Sequence, residues 1–289
     1  MSSVAAAPGR SEASIARRER MLALLRSPSF MIGAAVILFW IACAILGDRI
    51  TPFDPRFDQT DDLSQPPSSE HFFGTDRLGR DVFSRVLAGS RDILLIAPAA
   101  TLLATVLGTT LGLLTGYLRG IVDDTVSRAI DAVLAIPLIL MAVTVVAALG
   151  SRSVWTITVV IAVVFSPIIA RTVRAAVLGE AQLDYVEAAR LRGERAPYVM
   201  FAEVLPNVMP PILVEATIRL GYAIFAVATL TFIGFGLQPP SPDWAVQIVD
   251  NYQFLSEEWW TVLFPALAIA SLVVAVNLVS DSVQQVLER

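Results

Sequence analysis

The sequence predicts an all-α, polytopic membrane protein with six membrane-crossing helices. Three observations carry that reading. The 289 residues are 55% hydrophobic with a mean hydropathy of +0.67, a composition suited to lipid rather than water. The apolar residues gather in six runs, each near the ~20 residues that a helix needs to cross a bilayer core. The connections are polar, and those expected inside carry the arginines that favour the cytoplasmic face.

Residues 1–28 form a polar tail with Arg10, Arg17, Arg18, Arg20 and Arg26. Its first half is expected to be disordered, and Ile15 to Leu25 reads as a basic amphipathic helix on the inner membrane face. Residues 29–48 are the first span. Ala42-Cys43-Ala44 has the look of a cleavage site, but the polar stretch before it is too long and more spans follow. A retained signal-anchor fits better, with the N-terminus in the cytoplasm.

Residues 49–91 form an outer segment rich in acid, proline and serine. It ends in Phe72 to Asp81, FFGTDRLGRD, and a short amphipathic helix with Val82, Phe83, Val86 and Leu87 on one face. Arg77, Arg80, Arg85 and Arg91 lie here against the positive-inside count, which weakens for long translocated loops. Residues 92–282 hold the other five spans. The second, Ile93 to Tyr117, places Ala100, Ala104, Gly108, Gly112 and Gly116 every four residues, a stripe for close helix packing. Arg119 to Arg128 reads as an inner loop. The third span is Ala129 to Leu149 with a kink at Pro137. The fourth is Val154 to Val173, with another kink at Pro167 and Arg171 and Arg174 at its inner end.

The polar stretch 184–206, DYVEAARLRGERAPYVMFAEVLP, follows. Asp184 can cap a helix, with Glu187 three residues on as in a capping box. Arg190 and Arg192 suit the negative end of the helix dipole, and Gly193 supplies a left-handed stop. A helix of about two turns is marginal alone in water, so it needs a surface to lean on. Tyr185, Ala188, Ala189 and Arg192 share a face, and we expect a docking peg for a partner protein. A second helix begins near Pro197. Its apolar stripe is Tyr198, Phe201, Ala202 and Leu205, it lies on the membrane, and Pro206 ends it.

The fifth span runs from about Pro210 to Phe235. Gly236 to Glu258 is an outer loop. Trp259 to Leu278 is the sixth span, with Trp259 and Trp260 in the interfacial belt. Residues 283–289 are a short inner tail, so both termini lie in the cytoplasm. Asn277 and Asp281 are expected to hydrogen-bond between helices.

Composition excludes several function classes. All 21 basic residues are arginine. Without lysine there is no phosphate-cradling P-loop, so an ATP-driven process needs another polypeptide to bind the nucleotide. Cys43 and His71 are single, which rules out an intrachain disulfide and a zinc site of ordinary make-up. His71 is expected at the surface. No catalytic, metal or cofactor-binding residues are expected.

Glu187-Ala188-Ala189, then Gly193, then Leu205-Pro206, resembles the EAA loop of the membrane subunits of bacterial ABC importers. FGTDRLGRD before the second span and QPPSPDW after the fifth are similar to the C-type permease subunit of dipeptide and oligopeptide importers. The resemblance covers roughly residues 30 to 285. It implies a type I ABC importer permease fold in the bacterial cytoplasmic membrane, importing di- or oligopeptides; the same subunit type serves nickel and glutathione uptake. Its implied partners are a homologous B-type permease, two ABC ATPase subunits that bind ATP and Mg, an extracytoplasmic substrate-binding protein and the lipid bilayer. No nucleic acid is involved. By resemblance Glu187, Ala188, Ala189 and Gly193 carry the ATPase coupling, and Leu205 and Pro206 end that loop; Tyr185 and Arg192 join the coupling residues through the helix face they share with the two alanines. Gly74, Asp76, Arg80, Asp81, Gln238, Asp243 and Trp244 are candidates for an outer rim that meets the binding protein. The short tail lacks the family's arginine-proline ending, which leaves a tail contact open.

Glu215 and Arg219 lie inside the fifth span at i, i+4. An arginine at a helix centre costs about 2.5–3.5 kcal/mol to insert, and one such ion pair returns only about 0.2–0.5 kcal/mol. Either the pair snorkels to the inner interface or it faces a wet cavity on the translocation path. A secondary transporter is the rival from another class. It needs intramembrane carboxylates or broken helices at midplane; Glu215 is the one candidate, and no inverted repeat is visible.

Overall fold

A computed structural model describes residues 24–56 and 62–287. The expected basic helix over 15–25 falls almost wholly outside them. Among the described residues the chain is helical, with a single isolated bridge between Thr75 and Asp81.

The order is α1 Pro28–Ile50, α2 Val82–Leu118, α3 Gly120–Leu134, α4 Leu138–Leu149, α5 Val154–Glu180, α6 Asp184–Leu191, α7 Leu205–Phe232, α8 Trp244–Asn251 and α9 Trp260–Leu287. Among the described residues five helices are long and apolar enough to cross a membrane. A sixth crossing arises if α3 and α4, bent by 92° at a short break, act together. The break falls at Pro137, which precedes α4. A proline ring disfavours helical backbone in the residue before it, so the predicted kink is a full corner.

Most predicted spans are longer than the apolar pattern implied. The amphipathic stretch at Val82 is not separate: it forms the first turns of α2, so the boundary at 91/92 cuts a continuous helix. The Arg119 to Arg128 loop is helical and belongs to α3. The inner tail is largely the end of α9, described to Leu287. Polar residues extend these helices beyond the lipid, where hydropathy gives no signal.

The core seam joins α2 to α5. A Cβ on Gly108 would meet Ile169 Cβ at 2.6 Å, one on Gly112 would meet Val173 Cβ at 2.6 Å, and one on Gly116 would meet Val177 Cβ at 2.8 Å. The two helices therefore run parallel, one small residue per turn against one β-branched residue, and the packing reading of the stripe holds. Between α7 and α9, Ser280 Oγ donates to the Thr217 carbonyl at 3.2 Å. That is the helix-to-helix bond expected of Asn277, whose side chain is exposed. At one end of the bundle the segments around 51–81 and 235–259, with α8, fold into a cap. Phe73 stacks on Phe264 with centroids 3.8 Å apart, and Trp260 Nε1 donates to the Thr75 carbonyl at 3.0 Å. The 184–206 loop sits at the opposite end.

Candidate functional site

The loop helix α6 is eight residues long. Its N-cap is Leu183, with Asp184 in the first turn and no side-chain cap. The expected capping box therefore does not form; Asp184 and Glu187 act only through the helix dipole. Gly193 has φ +80°, and its N–H bonds the Arg190 carbonyl at 2.9 Å, the left-handed stop read from the sequence.

The buried face is Val186 and Ala189, both fully enclosed. Tyr185 is half-buried, while Ala188 and Arg192 are exposed. The predicted single face is thus divided: Ala189 lets α6 approach its own chain, and Ala188 faces away with Glu187 and Leu191. Polar ties fix the rest. Tyr185 Oη donates to Glu180 Oε1 at 2.7 Å at the end of α5. Asn207 Nδ2 donates to Tyr185 Oη at 3.0 Å from the start of α7. Arg190 Nε donates to Tyr117 Oη at 3.2 Å at the end of α2, and Arg192 pairs with Glu203 at 3.4 Å. Burial, then the Glu180 bond, push the Tyr185 phenol up to about 12, so it stays a donor at neutral pH. Glu180, Asn207 and Tyr117 carried no local signal, because their roles depend on contacts across the fold.

The second half of the loop departs from expectation. Pro206 does not end a helix. One turn at Ala196–Tyr198 leads into a π-helical segment, Val199–Val204, and on into α7. The Leu205 N–H bonds the Met200 carbonyl, five residues back. A proline ring collides with the carbonyl four residues before it, and the wider register relieves that collision. The face turned into the fold is Val199, Met200, Val204 and Val208. Tyr198, Phe201 and Ala202 face outward, as a stripe lying on the membrane would, with Leu205 half-buried.

Inside the bundle, Arg219 Nε donates to Glu215 Oε1 at 2.6 Å. The side chains are only 16% and 11% exposed, so the pair is sheltered by the chain itself. The guanidinium lies 5.2 Å from the Tyr222 ring centre. Tyr222 in turn lines an apolar cavity of about 150 Å³ between α4, α5 and α7, with Leu138, Ala142, Phe165 and Phe225.

In the cap, six of the seven rim candidates are buried: Gly74, Asp76, Arg80, Asp81, Asp243 and Trp244. They are internal fastenings. Asp76 accepts from Arg80 Nε at 2.7 Å. Asp81 accepts from the Ser84 N–H at 2.7 Å, capping α2, and from His71 Nδ1 at 2.9 Å. His71 is therefore buried, against the surface placement expected. Asp243 caps α8 through the Ala245 and Val246 N–H groups. Trp244 Nε1 donates to the Val86 carbonyl at 2.7 Å and meets Trp40 edge-on. Only Gln238 is exposed, as a rim residue would be.

Residues 108–289, more than half of the chain, match the family described as the binding-protein-dependent transport system inner membrane component. The chain belongs to that family. Residues 17–67 of this permease match the N-terminal transmembrane domain of oligopeptide transport permease C. The chain is 39% identical to a dipeptide transport system permease protein DppC of Escherichia coli, across 91% of this chain and 89% of that one. It is 37% identical to a di/tripeptide transport system permease protein DppC of Pseudomonas aeruginosa, across 89% and 86%. A chain of the inward-facing MetNI methionine ABC transporter shares the fold, with a TM-score of 0.58 at 21% identity over 71% of this chain and 97% of that one.

In this ABC importer permease the loop residues named from the sequence do come together, on one short helix and the turn after it. Leu205 and Pro206 lie instead at the start of α7, where they set its register.

Proposed function

We propose that this permease subunit carries di- and oligopeptides across the bacterial cytoplasmic membrane, powered by two separate ABC ATPase subunits that bind ATP and Mg. A homologous B-type permease would complete the gate, and an extracytoplasmic binding protein would deliver the peptide. One observation carries the coupling: α6 is anchored to the ends of α2, α5 and α7 by Tyr117, Glu180 and Asn207, while Glu187, Ala188 and Leu191 are exposed. A helix anchored on one side and bare on the other passes a push into three spans at once. The substrate class is supported by the names of the relatives. The Glu215–Arg219 pair, sheltered inside the chain with side chains 11% and 16% exposed, favours a place within the bundle over a snorkelled one at the interface.

The test is uptake of a labelled dipeptide in vesicles with the complete system. Uptake should follow ATP and persist with an uncoupler. Glu187→Lys should assemble with the ATPases and cut uptake about tenfold, within the usual range of coupling energies. Full-speed uptake by that variant would overturn the assignment of α6.

A further inference from the structure

Four cap-side arginines ran against the expected charge distribution, and three of them are answered within the chain. Arg77 pairs with Glu258 at 3.1 Å, Arg80 with Asp76 at 2.7 Å, and Arg85 donates to the carbonyls of Pro55 and Ser241. Arg91 is exposed, and among the described residues no carboxylate pairs with it. Arg49 is likewise exposed and Arg56 half-buried, and among the described residues neither guanidinium has a carboxylate partner. A cleft of about 270 Å³ brings the three guanidinium-bearing residues together, walled by Ala44, Gly47 and Ala88. A second hollow of about 470 Å³ shares Ala44, Ile45 and Arg91 and continues along Ile41, Leu94 and Leu95.

The two hollows stack along the membrane normal. Gly47 of α1 lies against Ala88 of α2, where a Cβ would be 3.7 Å from the Ala88 Cα, and the helices run in opposite directions there. Arg91 is three residues further into the bundle than Ala88, or about 4.5 Å along the helix. Ile41, Leu94 and Leu95 lie roughly one turn deeper again. Ile45, 76% exposed, opens the groove to the side. The result is an arginine ledge above an apolar channel.

We propose that this compound cleft binds one anionic phospholipid of the cap-side leaflet. The phosphate would sit against Arg49, Arg56 and Arg91, whose planar donors match a phosphate in pairs. One acyl chain would lie along Ile41, Ile45, Leu94 and Leu95. Charge complementarity and shape select this occupant: a free anion leaves the apolar limb empty, and an apolar protein segment leaves three guanidiniums unanswered. The site stands on the fold alone and is independent of the transported substrate.

The test is lipid mass spectrometry of the chain purified in its native assembly, after exchange into micelles with equal phosphatidylglycerol and phosphatidylethanolamine. The wild type should retain phosphatidylglycerol selectively. Arg91→Gln should lower retention about fivefold, the usual effect of one arginine at an anionic surface, and Arg49→Gln with Arg91→Gln should lower it further. Leu95→Trp, which fills the channel with the charges intact, should also lower it, whereas Arg152→Gln should not. Equal retention in the wild type and the double variant would overturn the proposal. So would displacement by inorganic phosphate together with full retention in Leu95→Trp, or crosslinking of Ile45→Cys to a second polypeptide in place of lipid.

Discussion

Burial pushes the Asp243 carboxyl up from 3.8 to about 7, against the opposing pull of the Val246 and Ala245 N–H groups it caps. Its Oδ2 has no hydrogen-bond partner, so a charge there is poorly compensated. Burial also raises Asp250 nearby. A carboxyl whose folded pKa is raised contributes stability that is complete below its unfolded pKa and is lost as pH climbs through the folded value. The cap should therefore loosen between about pH 4 and 7. Asp243→Asn keeps the capping oxygen and removes the charge, so its melting temperature should exceed the wild type's at pH 8 and converge with it near pH 4. At Arg219, Arg219→Leu should insert normally yet lower peptide uptake, leaving Glu215 without its bonded cation; unchanged uptake would return the pair to a packing role. Gly193 was legible because its chemistry is local. His71 was not, because its burial depends on Asp81 and on the Phe53 ring, 4.7 Å away.

Elements were legible where lipid writes the pattern and opaque where it does not. The apolar runs located the five long crossing helices and the bent α3–α4 pair, but hydropathy is silent on the polar turns that extend α2, α5 and α9 past the bilayer. Proline misled twice. At Pro137 the expected kink is a 92° corner. At Pro206 the expected stop is a π-helical register shift that carries the chain on into α7. The small-residue stripe was read correctly because it records backbone approach directly. Gly112→Ala would place a Cβ 2.6 Å from Val173 Cβ and 2.8 Å from the Ala170 carbonyl oxygen. Neither atom can retreat without moving α5. That variant should cost about 1–3 kcal/mol by overpacking, measurable as a lowered melting temperature of the purified chain.

At the scale of the whole chain, the two ends are built differently. The cap is closed by buried ion pairs and tryptophan indole bonds between distant segments. The opposite end presents α6 on four polar ties. The sequence motifs marked both ends, but residues at the cap that read as a contact surface proved to be fastenings. A motif records that a residue is constrained, without saying whether the constraint comes from inside the fold or from a partner. Large apolar side chains stay exposed on α4, α7 and α9, among them Leu140, Phe225 and Leu267, as lipid and a companion subunit would require.

α2 joins these two ends without interruption. Its 37 residues run about 55 Å from the Asp81 cap to Tyr117 beneath Arg190. Pro98 removes one hydrogen bond from its ladder, and the helix runs on across it. In the proposed assembly a displacement delivered at α6 reaches the far rim along this one helix, so spin labels on Leu78 and Leu191 should keep one separation through the ATP cycle while both move relative to the companion permease. In that proposed assembly the hinge falls at the seam between the two permease chains.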